Sequence, residues 1–327
     1  MLVVSYTTVS PLLRLLAAVC SLWHCPAGHP GWALPTTLPC GVRTFLDTVS
    51  RAAITRLARP GPEYRFASLL SVLMLLPPSE GKSAADSGPT VDLATLSFPD
   101  LTPTRTAVLA ALVKLCSGNG TNAAKVLGLG PTQHGEVGAN AQLAQEPCAP
   151  AIDVYTGVLY EALDASSLTT AGRRRLQESV AISSALWGLV RPQDLIPSYR
   201  LSGGTTLPRL GPLASIWREH VSALLEDTDE LVIDMRSGAY VSLGPLTLEM
   251  ADRSVTVRVL TERNGKRSVV SHNNKATKGL LVRHLVSTRR RPDSISALVQ
   301  ALESGGFEIE LGAGSKGAAP ILDVILR

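Results

Sequence analysis

Short apolar runs alternate with segments of helical periodicity from residue 72 onwards, which is the pattern of an α/β chain. Val72–Leu76 is apolar at every position and is followed by Pro77 and Pro78, so we predict a buried strand that opens into a loop. Further strands are predicted at 230–234, 254–260, 267–271, 307–311 and 321–326, and helices at 104–116, 121–127, 213–225, 275–286 and 294–303. We therefore expect one α/β domain, residues 74–327, with a mixed sheet and flanking helices.

Asn264 and Gly265 separate two of the predicted strands. Both residue types tolerate the positive φ that a type I′ turn requires, and such a pair between alternating strands is a strong hairpin signal. The sequence therefore predicts a two-stranded β-hairpin at this point.

Residues 1–73 differ from the rest of the chain in composition. They carry six Arg and two acidic residues, which accounts for the whole formal net charge of +4, whereas the remaining residues include 25 basic and 25 acidic ones. The segment also lacks the periodicity needed to join a core, so we predict an unstructured N-terminal extension. Its cysteine and histidine spacings match none of the usual zinc patterns, and we expect neither a metal ion nor a cofactor.

The apolar runs are too short to cross a membrane. Arg14 interrupts the first run and the prolines after Leu76 end the next, whereas a spanning helix needs about 18 apolar residues. Cys116 and Cys148, the two cysteines of residues 74–327, are too few for a disulfide framework. We expect a soluble, cytoplasmic protein.

The loop after the first predicted strand contains Gly81, Lys82 and Ser83, residue types that bind phosphates in nucleotide-binding loops. The spacing excludes that motif, because Leu76 stands where it requires a glycine. Glu80 and Lys82 nevertheless lie at the carboxyl end of a strand, where open α/β sheets place their ligands. A solvated loop with an ion pair between these two side chains is the alternative.

Five segments, in order, resemble the YaaA family of peroxide stress proteins. Residues 75–82 read LLPPSEGK, which resembles the opening of one branch of that family. The other segments are YTGVLY at 155–160, WGLVRPQD at 187–194 with YRL at 199–201, Ser237 with Tyr240, and Lys275 with Lys278, Gly279 and Arg283. The resemblance covers residues 74–327 and leaves residues 1–73 unmatched.

The resemblance implies that polar side chains from these segments meet in one cleft. The candidate residues for binding an anion or DNA there are Ser79, Glu80, Lys82, Tyr155, Tyr160, Arg191, Asp194, Tyr199, Arg200, Ser237, Tyr240, Lys275, Lys278 and Arg283. Lys275 and Lys278 would share a helix face, and Gly279 would let a ligand approach closely. No catalytic residue is assigned.

Residues 253–291, called the basic stretch below, hold eleven basic residues and one acidic residue, Glu262. A surface of this charge attracts phosphate groups. The alternative is that the charges lie on solvated hairpin and helix faces and are balanced by acidic residues elsewhere in the chain.

The family is also associated with DNA binding through a helix-hairpin-helix element, and a candidate lies at 115–127. Gly118 and Gly120 would form a hairpin whose backbone amides can point at a phosphate. An ordinary corner between two helices fits the same sequence equally well.

These observations predict a cytosolic peroxide stress protein that binds double-stranded DNA, with little sequence preference, through the basic cleft. We expect a monomer without a membrane partner. The alternative is an enzyme that acts on a nucleotide or a phosphorylated small molecule in the same cleft. A module that only binds a partner protein is a third possibility.

Overall fold

The computed structural model describes residues 72–263, 265–269, 271–314 and 318–327. The predicted extension therefore lies outside the described residues, except for its last two positions. Those two, Val72 and Leu73, are buried residues of the first strand.

The strands are β1 Val72–Leu76, β2 Ala149–Pro150, β3 Val180–Ser184, β4 Gly188–Val190, β5 Leu195–Ile196, β6 Thr206–Leu207, β7 Gly211–Pro212, β8 Leu231–Asp234, β9 Ser254–Arg263, β10 Lys266–Val269, β11 Glu308–Gly312 and β12 Ile321–Leu326. The helices are α1 Thr102–Cys116, α2 Gly120–Leu127, α3 Gly135–Ala141, α4 Ala151–Val154, α5 Val158–Leu163, α6 Thr170–Ser179, α7 Leu213–Glu226, α8 Gly238–Val241, α9 Ser271–Ser287 and α10 Ile295–Ser304. Short 3-10 turns lie at Pro99–Leu101, Pro131–Gln133, Ala165–Ser167 and Leu248–Arg253.

The core is an eight-stranded sheet in the order β11-β12-β9-β8-β1-β3-β4, with β10 paired to β9. The five strands from β12 to β3 are parallel, and the antiparallel pairs lie at β11, β10 and β4. Strands β1, β3 and β8 are buried at every position, as expected for parallel strands covered by helices on both faces. The predicted α/β class with a mixed sheet is confirmed.

The order of the central strands determines where a ligand site can form. The chain passes from β1 to its neighbour β3, and later returns to pair β8 on the other side of β1. The carboxyl ends of three parallel strands therefore lie side by side at one edge of the sheet. Such an edge is the usual ligand position in open α/β sheets.

The predicted β-hairpin is confirmed. Lys266 pairs with Arg263, which leaves a two-residue connection between β9 and β10. Gly265 has a φ of 70°, the positive value that this turn requires. Asn264 lies outside the described residues.

Helix α9 packs directly on α5, and Gly279 makes this contact possible. A Cβ atom at Gly279 would lie 2.2 Å from the backbone oxygen of Leu159 and 2.9 Å from Cβ of Ala162. The expectation that this glycine admits a ligand is therefore wrong, because the space beside it is filled by α5. Within the described residues, no helix is long and apolar enough to cross a membrane.

Candidate functional site

The loop after β1 folds back on itself because Pro77 and Pro78 end the strand. The hydroxyl of Ser79 donates to the backbone oxygen of Gly81 at 2.5 Å and accepts the N–H of Thr156 at 2.9 Å. Lys82 then forms an isolated antiparallel bridge with Tyr155. The loop is thereby tied to the segment that precedes α5.

Two cationic side chains converge on one backbone oxygen in this loop. Lys82 Nζ donates to Ser79 O at 2.9 Å and to Glu80 O at 3.4 Å. Arg200 Nη1 donates to the same oxygen of Glu80 at 3.2 Å. The Glu80 carboxylate lies 3.5 Å from Arg200, but its side chain is 83% exposed, so water screens its charge.

Burial and the neighbouring guanidinium both act on Lys82. Together they lower the pKa of Lys82 from 10.5 to about 8, with burial the larger cause and Arg200 the second, against a smaller opposing effect of Glu136 and Glu80. Nζ lies 4.5 Å from the ring centroid of Tyr199 and 5.7 Å from that of Tyr155. A substantial share of Lys82 side chains is therefore neutral in mildly alkaline solution.

A hydrogen-bond chain runs beneath Lys82 from the end of β3. The Ser184 hydroxyl accepts the N–H groups of Leu186 and Trp187, at 3.2 and 2.9 Å, which uses both of its lone pairs. Its hydrogen is then directed to the Tyr199 hydroxyl at 2.7 Å, and the Tyr199 hydrogen to Tyr155 at 2.9 Å. The hydrogen-bond chain ends at the Tyr155 hydroxyl, which is buried.

The buried tyrosines form one rigid wall. The rings of Tyr155 and Tyr160 stack with centroids 5.7 Å apart, and the Tyr160 hydroxyl donates to Pro77 O at 2.8 Å. Burial raises the pKa of Tyr155, Tyr160 and Tyr199 above the usual value, so these hydroxyls stay protonated and act as hydrogen-bond donors rather than bases.

A pocket of about 240 Å³ opens beside this wall. Its lining consists of Pro77, Pro78, Ser79, Glu80, Gly81, Thr156, Gly157, Val158, Leu159, Tyr160 and Lys275. Lys275 is exposed on α9. We call this pocket, together with Lys82, Tyr155, Tyr199 and Arg200, the β1 cleft.

The end of β8 forms a second, fully paired group of charges. Arg236 donates to both carboxylate oxygens of Asp234, at 2.9 and 2.7 Å, and to Gly244 O at 2.8 Å. Lys278 is buried and donates to Met235 O at 2.9 Å. Burial lowers the pKa of Lys278, and Asp234 opposes that shift.

The remaining candidates at β8 lie in the loop that this pair supports. Ser237 is exposed and precedes α8, and its backbone oxygen accepts the N–H of Tyr240 at 2.8 Å. Tyr240 is half-buried, and burial raises its pKa while a hydrogen bond with the Gly203 backbone opposes the increase.

Asn140 holds Arg200 in place, and nothing in the sequence pattern had indicated it. Its side-chain nitrogen donates to Arg200 O at 2.8 Å, and its side-chain oxygen accepts Arg200 N–H at 2.9 Å. Asn140 is completely buried on α3. Asp234 and Arg236 were also missed as a pair, although an acidic residue at the end of an apolar strand is a visible signal.

Three of the predicted cleft residues make their contacts elsewhere. Arg191 donates to the backbone oxygens of Glu178 and Val180, at the amino end of β3 and hence at the opposite edge of the sheet. The Asp194 carboxylate accepts the N–H of Arg191 at 2.9 Å, together with the N–H and hydroxyl of Ser97. These contacts fasten loops to one another and do not reach the β1 cleft.

Arg283 is the third. Its guanidinium donates to the backbone oxygens of Leu163 and Asp164, each at 2.8 Å, and to the hydroxyl of Ser167. It thereby caps the carboxyl end of α5.

Within the described residues, four arginines of the basic stretch are paired with acids, most of which come from distant parts of the chain. Arg258 makes a bidentate contact with Asp323 at 2.6 and 2.7 Å, and Arg267 makes one with Glu310 at 2.6 and 2.7 Å. The further ion pairs are Arg267 with Glu262, Arg283 with Asp164 and Arg291 with Glu178. The excess of positive charge counted along the sequence is therefore partly offset in space.

The connection between α1 and α2 spans residues 117–119. Gly118 N–H donates to Leu115 O at 3.3 Å, and the Asn119 side chain caps α2 by accepting the N–H of Asn122 at 2.9 Å. Gly118 and Gly120 do not have positive φ angles. The helix-hairpin-helix interpretation stays a prediction.

Metal ligands are not gathered in the part of the chain that the structure describes. No group of three or more His, Cys, Asp and Glu side chains there is placed to hold an ion. Cys116 and Cys148 are buried free thiols, and burial raises the pKa of both.

Comparison with known proteins gives consistent matches. A family profile described as peroxide stress protein YaaA matches residues 72–311. A UPF0246 protein of Streptomyces coelicolor is 46% identical over 259 residues, which cover 78% of this chain and 99% of the relative. UPF0246 proteins of Corynebacterium efficiens and Corynebacterium glutamicum are 40% identical over 250 and 244 residues, covering 75% and 73% of this chain and 97% and 95% of those relatives.

Proposed function

The chain belongs to the family of peroxide stress protein YaaA, and we propose that it acts in peroxide defence by binding and processing a phosphate-bearing small molecule in the β1 cleft. The observation that carries this proposal is the convergence of Lys82 and Arg200 on Glu80 O. We place this activity in the cytoplasm and assign it to a monomer.

An anionic ligand would offset charges that the protein itself leaves poorly compensated. Two cations within hydrogen-bonding distance of one oxygen repel each other. The carboxylates that act on Lys82, those of Glu136 and Glu80, offset this repulsion only in part, and the Glu80 side chain is mostly in water. A phosphate group beside Arg200 would accept charge-assisted hydrogen bonds from its guanidinium and offset the repulsion within the pair.

The rest of the cleft suits a small molecule. The pocket of about 240 Å³ is close to the lower end, about 300 Å³, of small-molecule sites. Lys275 stands at its opening and adds a further positive charge for a phosphorylated ligand.

Duplex DNA, bound with little sequence preference, is the second candidate. Four exposed cations of the basic stretch favour it, because they form no ion pair within the described residues: Lys266, Lys275, Arg289 and Arg290. Lys114 and Lys125, beside the α1–α2 connection, add to this positive surface. It ranks second because four arginines of the basic stretch already bind carboxylates.

Parallel titrations with inorganic phosphate and a labelled duplex separate the two candidates. We expect phosphate, followed by calorimetry, to bind the wild-type protein and to bind Arg200→Ala at least about tenfold more weakly, because charge-assisted hydrogen bonds are lost. The matched control is Arg267→Ala, whose guanidinium lies on the surface far along the chain and should leave phosphate affinity unchanged.

Binding of the duplex is recognised by its dependence on salt concentration. If DNA is the ligand, log K falls against log salt with a slope of about −0.9 per phosphate contacted. Duplex binding with such a slope, together with no measurable phosphate binding, would show that the first proposal is wrong and would favour the second.

A further inference from the structure

We propose that Lys82 is a nucleophilic amine that forms an imine with the aldehyde or ketone group of a phosphate-bearing ligand. This inference rests on the proposed function, since it places the reacting carbonyl in the cleft that holds the phosphate. It adds a chemical class of substrate and a covalent step.

The hydrogen bonds of Lys82 suit a neutral amine. A neutral amine has two N–H donors and one lone pair, and Nζ has two backbone acceptors, Ser79 O at 2.9 Å and Glu80 O at 3.4 Å. Loss of the third proton therefore costs neither of these bonds. The lone pair is then free to attack.

The surroundings favour that neutral form. Lys82 is packed against the rings of Tyr199 and Tyr155, which remove water, and Arg200 is the cation beside it. A lysine is activated in this way when it is desolvated or lies next to another cation. The charged groups that face it are Arg200, Glu80 and Glu136, and their combined effect with burial is a pKa of about 8.

The two other lysines of the site lack this combination. Lys275 is exposed at the pocket opening, where it can hold an anion. Lys278 is buried under the end of β8, where it donates to Met235 O and lies near Asp234, which favours its charged form. Lys82 is bound to the two residues, Ser79 and Glu80, that also line the pocket.

The step balances without an oxidant or reductant. The Nζ lone pair attacks the carbonyl carbon, the carbon–nitrogen bond forms, and the carbonyl oxygen takes up the proton that the nitrogen releases. The resulting carbinolamine loses its hydroxyl group with one further nitrogen proton as water, which leaves a carbon–nitrogen double bond. One water molecule is released for each imine formed.

Reductive trapping with pyridoxal phosphate as the probe tests the inference. The full-length protein is mixed with the probe, sodium borohydride reduces any imine to a stable secondary amine, and peptide mass mapping locates the label. We expect Lys82 to be labelled at least about tenfold faster than Lys275, Lys114 or Lys125, with a rate that rises with pH to half its maximum near pH 8. Lys82→Arg should lose this fast label, and Lys125→Arg should retain it.

Pyridoxal without the phosphate separates this inference from the proposed function. Fast labelling of Lys82 by pyridoxal phosphate, slower labelling by pyridoxal and protection by inorganic phosphate support both. Equal rates with the two probes support the reactive amine and contradict the phosphate site. Labelling of all exposed lysines at the rate of Lys82, while phosphate binding still depends on Arg200, would overturn the inference and leave the proposed function standing.

Discussion

The β1 cleft and the basic stretch both contain clusters of cations, but the two regions balance their charge in opposite ways. In the basic stretch, arginines meet carboxylates from distant segments, as Arg258 does with Asp323 and Arg267 with Glu310. In the cleft, Lys82 and Arg200 share a backbone oxygen, and the nearby carboxylates of Glu136 and the exposed Glu80 compensate them only in part. The charge available to a ligand therefore depends on spatial neighbours rather than on the local count of basic residues.

The Asp234–Arg236 pair extends the comparison to a buried site. Its two side chains are 2% and 0% exposed, so each charge depends mainly on the other and not on water. Arg267 and Glu310 make an equally short contact, but their side chains are 41% and 47% exposed and water can replace either partner. Similar geometry should therefore have very different energetic consequences.

The largest expected effect follows from removing one partner of the buried pair. Asp234→Ala leaves the Arg236 guanidinium buried and unpaired, which should lower the free energy of unfolding by about 3–5 kcal/mol. Urea denaturation monitored by circular dichroism measures this loss. The control is Glu310→Ala, for which we expect little change because its partner is exposed; a small effect in both variants would contradict the comparison.

A smaller loss of stability should follow when Arg200 is held less firmly in the β1 cleft. Asn140→Ala removes both hydrogen bonds to the Arg200 backbone, so we expect a loss of about 1–3 kcal/mol in the free energy of unfolding. Phosphate affinity should fall as well, because the guanidinium is no longer held beside Glu80. The matched control is Asn122→Ala on the exposed face of α2, which should change neither quantity. Unchanged phosphate affinity in Asn140→Ala would show that Arg200 needs no such support.

The last effect, the pH dependence contributed by Lys82, is small at each pH step because it is spread over several pH units. In the unfolded chain Lys82 holds its proton up to about pH 10.5, whereas in the folded protein it releases the proton near pH 8. Between these values the unfolded state binds more protons, so the stability contributed by this group rises with pH.

Lys82→Met isolates this contribution, because the other titrating groups are common to both proteins. Relative to the variant, the wild-type free energy of unfolding should rise by at most about 1.4 kcal/mol per pH unit above pH 8 and stay level below it. Urea denaturation at a series of pH values gives the difference. A curve that is flat up to pH 10 would show that the folded protein does not perturb Lys82.

Much of the fold could be predicted from short stretches of sequence. The apolar run at β1, the Asn264-Gly265 turn and the periodicity of α7 each predicted an element close to its observed position. Strand β3 was missed because its sequence, VAISS, ends in two serines and lacks a continuous apolar run. Ser184, which begins the hydrogen-bond chain to Tyr155, was missed with it.

The candidate site was predicted in part. The sequence indicated the loop with Ser79, Glu80 and Lys82, and the family resemblance added Tyr199 and Arg200, which the structure brings to that loop. Arg191 and Asp194 belong to the same motif region but lie at the other edge of the sheet, because the chain crosses the sheet between them and Tyr199. Proximity along the chain could not reveal this crossing.

The sequence by itself determined the local elements and the membership of the family, because turn preferences and hydrophobic periodicity act over a few residues. The tertiary structure alone decided which charges are cancelled and which remain available to a ligand. Arg200 follows Glu80 by 120 residues in the sequence, yet its guanidinium donates to Glu80 O beside Lys82. Asp323, near the end of the chain, accepts a hydrogen bond from Arg258. Electrostatic energies depend on distance and burial, and both are set only when the sheet has brought these segments together.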